Sequence, residues 1–298
     1  DGQAVNTWQD KSTVRTNDAT DANLAPPTYR DNSADYINYN PVVDFDGVND
    51  GLDFGNDYIY STGTGSQDGM TWFAVVAPDN APVTKKGQYI TDFGGVAHSG
   101  YGFRYGSSNY VIFTSTNHSG ISENSAHTFG TQPNLLRFTV DFGTNQTFNI
   151  NGALPSTTNA IGITALTAAQ INENPTHLAN EGPFTIGHQS KTTKVNSDNG
   201  RRLDGSIAEL IGYSADLSET SGADISRIES YLSIKYGITR DNSAGTTAGD
   251  YFTSSGANLW DASLTPSFHN DIISIGRDDN SGLIQNQSHQ LDDSTRIY

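Results

Sequence analysis

Helical apolar spacing appears with force only once in this chain. Elsewhere the apolar residues fall into short alternating or continuous runs, separated by clusters of Gly, Asn, Asp and Pro. A chain punctuated in this way buries its apolar side chains by stacking short strands, the pattern of a sandwich or barrel. "PVVDFDG" and "GLDFGNDYIY" read as two strands meeting at a turn, and "MTWFAVVAP" as a buried strand ended by Pro78. "QYITDFGG", "YGFRYG" and "NYVIFTST" read as a meander. "NLLRFTVDFG" and "QTFNINGAL" read as a pair joined at Gly143 to Asn145. "PFTIGHQ" and "DGSIAELIGYS" complete the series, with polar loops over 156–183 and 191–202.

The exception is a helix expected over 221–236. Ile225, Ile228, Leu232 and Tyr236 recur at three- and four-residue spacing and give one apolar stripe. Ser221 with Asp224 resembles a capping box. Gly237 stands where a left-handed residue closes a helix, and Ile238 follows as the next hydrophobe. The strand before it is apolar on both faces, with Ile207, Ile211 and Tyr213 on one and Ala208 and Leu210 on the other. A strand of that kind is covered on both sides. The helix is expected on its outer face, with Glu209 turned toward the helix and paired with Arg201, Arg202 or Arg227.

After Arg240, "DNSAGTTAGD" reads as a linker. Trp260, "DIISIGR", the turn "DDNSG" and "LIQNQSHQ" then begin a second β unit. The expected division is 1–240 for the sandwich with its helix and 241–298 for a partial C-terminal β unit.

Charge narrows the partners. Asp and Glu total 33 against 16 Lys and Arg, a formal net charge of -17. Such a chain repels phosphate backbones and anionic membranes, so no nucleic acid partner is expected. The absence of cysteine rules out disulfide scaffolds, cysteine nucleophiles and thiolate metal sites. No apolar run is long enough for a membrane-spanning helix. No basic-then-apolar leader opens the chain, so it is expected to be soluble and either cytosolic or a mature or trimmed exported protein; abundant Gly, Asn, Ser and Thr, with one Met and few Lys, favour the second.

"WQDKS", "FDGVNDGLDF", "TWFAVVAP" and "DGSIAELIGYSADLS" together resemble the laminin-G-like, concanavalin-A-like jelly rolls, across about Trp8 to Ser218. "ISRIESYLSIKYGIT", "DYFTSSGANLWD" and "IISIGRDDNSGLIQNQS" resemble very large secreted surface proteins of bacteria. In those, such a domain precedes a short β domain of unknown function. The resemblance implies an all-β fold: an antiparallel two-sheet jelly-roll sandwich with one appended α-helix and a partial C-terminal β unit. It also implies an extracellular or cell-surface, non-catalytic role in adhesion or glycan contact. The rival roles are a structural subunit or spacer of a surface appendage and a polysaccharide-active enzyme. Relatives usually carry a further strand before the position of Asp1, so a free sheet edge and self-assembly by strand addition are expected.

The Glu-x-Asp-x-x-Glu strand of retaining glucanases of this fold is absent. Tyr101, Arg104 and Tyr105 lack the Gln-Ile-His strand that alginate-lyase-type relatives need. No Gly-x-Ser-x-Gly elbow, His-Glu-x-x-His site or phosphate loop occurs. "VVDFDGVNDGLDF" reads first as strand and turn. Its oxygen-rich residues Asp44, Asp46, Asn49 and Asp50 are the candidate calcium ligands. "AHSGYGFRYGSSNYVIFTSTNHSG" supplies His98, Tyr101, Arg104, Tyr105, Tyr110 and His118. Either these form a glycan-binding face, aromatic rings against sugar rings, or the aromatics alternate into the core as in any sandwich.

Overall fold

The structure is a computed structural model. It describes residues 1–12, 17–21, 24–54, 69–79, 88–93, 99–105, 110–116, 119–124, 130–141, 145–153, 184–189, 201–217, 222–240, 249–264, 266–268, 271–289 and 296–298. The expected loop over 156–183 lies outside them. In chain order the strands are β1 (Gln3–Ala4), β2 (Thr7–Trp8), β3 (Ala19–Thr20), β4 (Thr28–Arg30), β5 (Val42–Asp46), β6 (Leu52–Asp53) and β7 (Gly69–Pro78). Then come β8 (Gln88–Phe93), β9 (Ser99–Tyr105), β10 (Tyr110–Thr116), β11 (Ser119–Asn124), β12 (Asn134–Asp141), β13 (Asn145–Ile150), β14 (Thr185–Ile186) and β15 (Asp204–Tyr213). The helix α1 (Gly222–Tyr236) follows. Three two-stranded hairpins end the chain: β16 (Tyr251–Phe252) with β17 (Asn258–Trp260), β18 (Gly276–Asp278) with β19 (Leu283–Gln285), and β20 (Ser288–His289) with β21 (Arg296–Ile297).

Two antiparallel sheets make the sandwich. One runs β1-β4-β5-β15-β7-β12-β13, the other β11-β10-β9-β8-β14-β6-β3-β2. Alternation along β7 decides the layering. Met70, Trp72, Ala74 and Val76 point into the space between the sheets, where they meet Phe45, Phe138 and Ile186. Phe73 and Val75 point outward and meet Ile225, Leu232 and Tyr236 of α1. The first sheet is therefore apolar on both faces because both are covered. Among the described residues the chain forms the expected all-β sandwich with one helix; the meander strands β8 to β10 and the pair β12–β13 match their sequence patterns, and β11 extends the meander by a strand that the sequence did not mark.

Two local expectations are corrected. β5 and β6 are not a hairpin: they lie in different sheets, so the Asp46 to Leu52 turn carries the chain across the sandwich. The physical reason is that Phe45 and Leu52 both fill the core from opposite walls. Ile207 and Ile211 do not share a face either. Pairing with β7 slips between Ile207 and Glu209, leaving Ala208 as an extra residue. Ile207 therefore joins the inner core, while Ala208 and Ile211 face the helix.

α1 closes as its sequence indicates. Gly237 has φ +65°, and the Ile238 N–H donates to Ser233 O at 3.0 Å, the long bond of a Schellman motif. Ser221 lies outside the described residues, and Asp224 pairs with Arg227 at 3.2 Å. Glu209 does face the helix, but its partners are Lys235 Nζ at 2.8 Å, Tyr236 OH at 2.8 Å and Tyr231 OH at 3.0 Å, not an arginine. Both partner types were available, and the Lys235 amine is in reach because Tyr231, Lys235 and Tyr236 share the helix side above the bulge.

The turn Ile37 to Asn40 ties the ends of the molecule together. Ile37 and Asn40 exchange backbone hydrogen bonds at 3.0 and 2.9 Å. The two residues between them, Asn38 and Tyr39, have φ of 47° and 66°. Positive φ at both central positions is the type I′ turn, which favours Asn first and Gly second. Buried Asn38 donates to Lys235 O at 3.0 Å and accepts the His289 N–H at 2.8 Å. Asn40 donates to Lys235 O at 2.7 Å. One turn thus satisfies carbonyls at the end of α1 and holds β20 against it.

Candidate functional site

A cleft of about 760 Å³ opens between α1 and the C-terminal hairpins. Helix residues Arg227, Ile228 and Tyr231 form one wall, and Trp260, Phe268 and Ile275 belong to the other. The wall exists because α1 has two apolar sides. One is spent on the sandwich; the other brings Ile234 against Tyr251 and Leu283, with Tyr231, Trp260 and Ile272 around them. Several large apolar side chains at the cleft stay in water: Phe268 is 75% exposed and Leu259 56%. Such residues mark a contact surface more often than a wall without use.

Several polar groups of the cleft are fixed by hydrogen bonds or ion pairs. Arg227 is held by Asp224, and Gly256, at φ +87°, lies against its guanidinium. Asp278 accepts the Ser254 N–H at 2.8 Å and its hydroxyl at 2.7 Å, and these bonds hold its carboxyl below the ordinary carboxylate value. The Trp260 indole N–H is buried without a hydrogen-bond partner. Among the described residues that line the cleft, the carboxylates of Asp224, Asp271 and Asp278 outnumber the guanidinium groups of Arg227 and Arg277. Nothing in the local sequence announced this site, whose walls come from Tyr213 to Leu283.

The nearest glutamates serve the fold. Glu229, 2% exposed, sits between Arg137 Nε at 2.8 Å and Arg240 Nη2 at 2.7 Å. Arg240 also reaches Ser230 Oγ and the Asp250 carbonyl, fastening the start of β16 to the helix. The Tyr251 hydroxyl accepts the Arg240 N–H at 2.9 Å, and burial pushes its pKa up to about 12.

The residues proposed from sequence for glycan contact are only partly described. His98 and His118 lie outside the described residues. Tyr101, Arg104 and Tyr105 fall on β9 and Tyr110 on β10. The register sets Tyr105 opposite Tyr110 and Gln88, Arg104 opposite Val111 and Tyr89, and Tyr101 opposite Thr114 and Phe93.

The candidate calcium residues form a compact turn. Asp46 Oδ1 accepts N–H groups from Val48 at 2.8 Å, Asn49 at 3.0 Å and Asp50 at 3.3 Å. Burial opposes the Asp46 charge, and these three donors outweigh it and lower its pKa. Asp50 returns the bond, accepting the Asp46 N–H at 3.0 Å. Desolvation, with the neighbouring Asp46 and Asp44 charges, raises Asp50 to about 6. Asp44 turns to Arg30 at 3.2 Å, and Arg202 donates to the Asn49 and Asp50 carbonyls. No group of three or more acidic or histidine side chains is placed to hold a metal among the described residues. No helix among them is long and apolar enough to cross a membrane.

A family model described as a domain of unknown function (DUF8202) matches residues 224–298, from α1 to the last hairpin. No curated protein matches the chain. Among solved structures, the chain is similar to one from work on the cell entry of botulinum neurotoxin type C and its interaction with two ganglioside molecules. That pair is 14% identical with a TM-score of 0.46, over 77% of this chain and 51% of that one. It is similar to the binding domain of botulinum neurotoxin serotype C1, 14% identical with a TM-score of 0.46, over 82% and 52%. A third is domain 4 of AbnA, a GH43 extracellular arabinanase from Geobacillus stearothermophilus, in complex with arabinotriose. It is 14% identical with a TM-score of 0.42, over 72% and 94%. The chain spans about half the length of the two toxin chains it matches.

Proposed function

We propose that this protein is a non-catalytic, extracellular glycan-binding module whose ligand sits in the cleft between α1 and the C-terminal hairpins. The observation that carries the reading is the cleft: aromatic and aliphatic walls, a few fixed polar groups, and exposed hydrophobes at its lip. Aromatic faces receive the C–H faces of sugar rings, and carboxylate and guanidinium groups bond their hydroxyls. Because carboxylates outnumber cations there, the ligand class is a neutral oligosaccharide. Gangliosides for the toxin and arabinotriose for the arabinanase domain are ligands of those proteins. That this chain takes a ligand of the same broad class is our own reading. His98, Tyr101, Arg104, Tyr105, Tyr110 and His118, the residues expected from sequence, are the alternative candidates for that class. Adhesion is the biological form of this role on a cell surface. Calcium at Asp44, Asp46, Asn49 and Asp50 would make it metal-dependent, and the hydrogen bonds of that turn favour the metal-free version.

A glycan array probed with the wild type and with Trp260→Ala tests the cleft. The expected result is binding of one or more neutral oligosaccharides, weakened at least tenfold, about 1.4 kcal/mol, in the variant. Binding unchanged in Trp260→Ala but lost in Tyr105→Ala moves the site to the meander. An array with no neutral ligand ends the reading.

A further inference from the structure

A second cluster lies at the other end of α1, built on the Ile37–Asn40 turn and the last hairpin. Tyr39 is its centre. Its ring is 5.3 Å from Tyr36, 5.3 Å from His289 at an interplanar angle of 88°, and 6.5 Å from Tyr298. Arg296 Nη1 donates to the Tyr39 hydroxyl at 3.2 Å. Tyr298 is 79% exposed. None of these five residues lines the cleft.

Two observations set this cluster apart from ordinary surface. The first is backbone. Tyr39 occupies the second central position of a type I′ turn at φ 66°, where glycine is the unstrained choice and a bulky side chain is a genuine outlier. The hydrogen bonds of Asn38 hold the turn in place, and the result is a half-buried aromatic ring set among Tyr36, His289 and Tyr298. The second is charge. In a chain of net charge -17, Arg296 makes no ion pair with a carboxylate among the described residues. Its bonds go to a phenol, and a guanidinium has five N–H donors in a fork that matches a carboxylate. The Tyr39 hydroxyl is the better acceptor for it: the Arg296 hydrogen bond lowers the Tyr39 pKa.

We infer that Tyr36, Tyr39, His289, Arg296 and Tyr298 form a binding site for an acidic sugar, with the ring against the tyrosines and its carboxylate on Arg296. Tyrosine faces accept a pyranose ring, and the arginine fork selects a charged group over a hydroxyl. The acidity of the whole chain does not prevent this. At about 0.1 M salt the Debye length is about 10 Å, so distant carboxylates are screened while the guanidinium acts at contact. The same overall charge rejects polyphosphate backbones, which must lie along an extended surface. This site goes beyond the cleft reading and is independent of it.

The probe is tetragalacturonic acid, with its methyl ester as the uncharged twin, titrated into the full chain by calorimetry. The expected result is binding of the acid in wild type, at least tenfold weaker in Arg296→Gln and in Tyr39→Gly, and unchanged in Trp260→Ala. The methyl ester should bind at least tenfold more weakly than the acid. Tyr39→Gly places the favoured residue in the turn, so its thermal unfolding should not fall, and Arg296→Gln changes only an exposed side chain. No binding of the acid, equal binding of acid and ester, or binding indifferent to both variants overturns the inference. Loss of neutral oligosaccharide binding in Trp260→Ala reports on the cleft alone, so the two readings fail separately.

Discussion

Asp50 shows how one buried carboxyl makes the fold sensitive to pH. Its folded pKa of about 6 lies above the ordinary 3.8, so the neutral form is the one the fold favours. The stability tied to this proton is complete below pH 4 and is lost as pH rises to about 6. Asp50→Asn keeps an oxygen for the Asp46 N–H and removes the charge. We predict that the variant is more stable than wild type above pH 6, by about 1 kcal/mol after solvent screening, and that the gain shrinks toward pH 4. Denaturant midpoints across pH 4–8 check this, and a gain independent of pH contradicts it. Asp46 works in the opposite sense, since three backbone donors lower its pKa. Those donors take one of its two oxygens, and among the described residues no group of three or more acidic or histidine side chains is placed to hold a metal. We therefore expect the melting temperature to be the same with millimolar calcium and with chelator. A rise with calcium, which mass action requires of any ion bound only to the native state, would contradict this.

At the scale of elements, α1 is the joint of the molecule, and two substitutions separate its two attachments. Leu232, 1% exposed, packs on Phe73 and Val75 of β7. Leu232→Ala should cost about 2–5 kcal/mol. Glu229→Gln should cost about 3–5 kcal/mol, because it strips the carboxylate from Arg137 and Arg240 and leaves a buried cation unpaired. Urea unfolding measures both, and a loss under 1 kcal/mol in either removes that contact from the account. The helix, its stripe and its closing Gly237 were legible because they rest on local spacing. The sheets were legible for the same reason, through runs such as Met70 to Val76. Three features were not. The bulge at Ala208 is a register slip between two strands, which one strand's alternation does not contain. The crossing at Asp46 to Leu52 has the residues of a hairpin turn, and only the partner sheets distinguish it. The turn at Asn38–Tyr39 lacks the glycine by which type I′ is read. The cleft and the tyrosine cluster share that difficulty, since each gathers residues from segments far apart in the chain.

At the scale of the whole molecule, buried contacts cross the division expected at residue 240. The family-matched stretch 224–298 begins inside α1, whose stripe is buried in the sandwich's outer layer. Its other side buries Ile234 with Tyr251 and Leu283 of the hairpins. Arg240 links Glu229 to the Asp250 carbonyl across the expected boundary. Asn38, from the sandwich side, bonds Lys235, Ser288 and His289 at once. Unfolding the hairpins alone would uncover one side of the helix and strand these buried polar groups, each at about 1–3 kcal/mol. Unfolding the sandwich alone would uncover the other side. Neither half has a cheap way to open, so sandwich and hairpins should melt together. Calorimetry of the full chain should give one transition with equal van't Hoff and calorimetric enthalpies. Asn38→Ala should lower its midpoint without splitting it. Two resolved transitions in wild type would mean that the hairpins are a separate unit resting on the helix, and the cleft between them would then be a hinge that opens before the sandwich does.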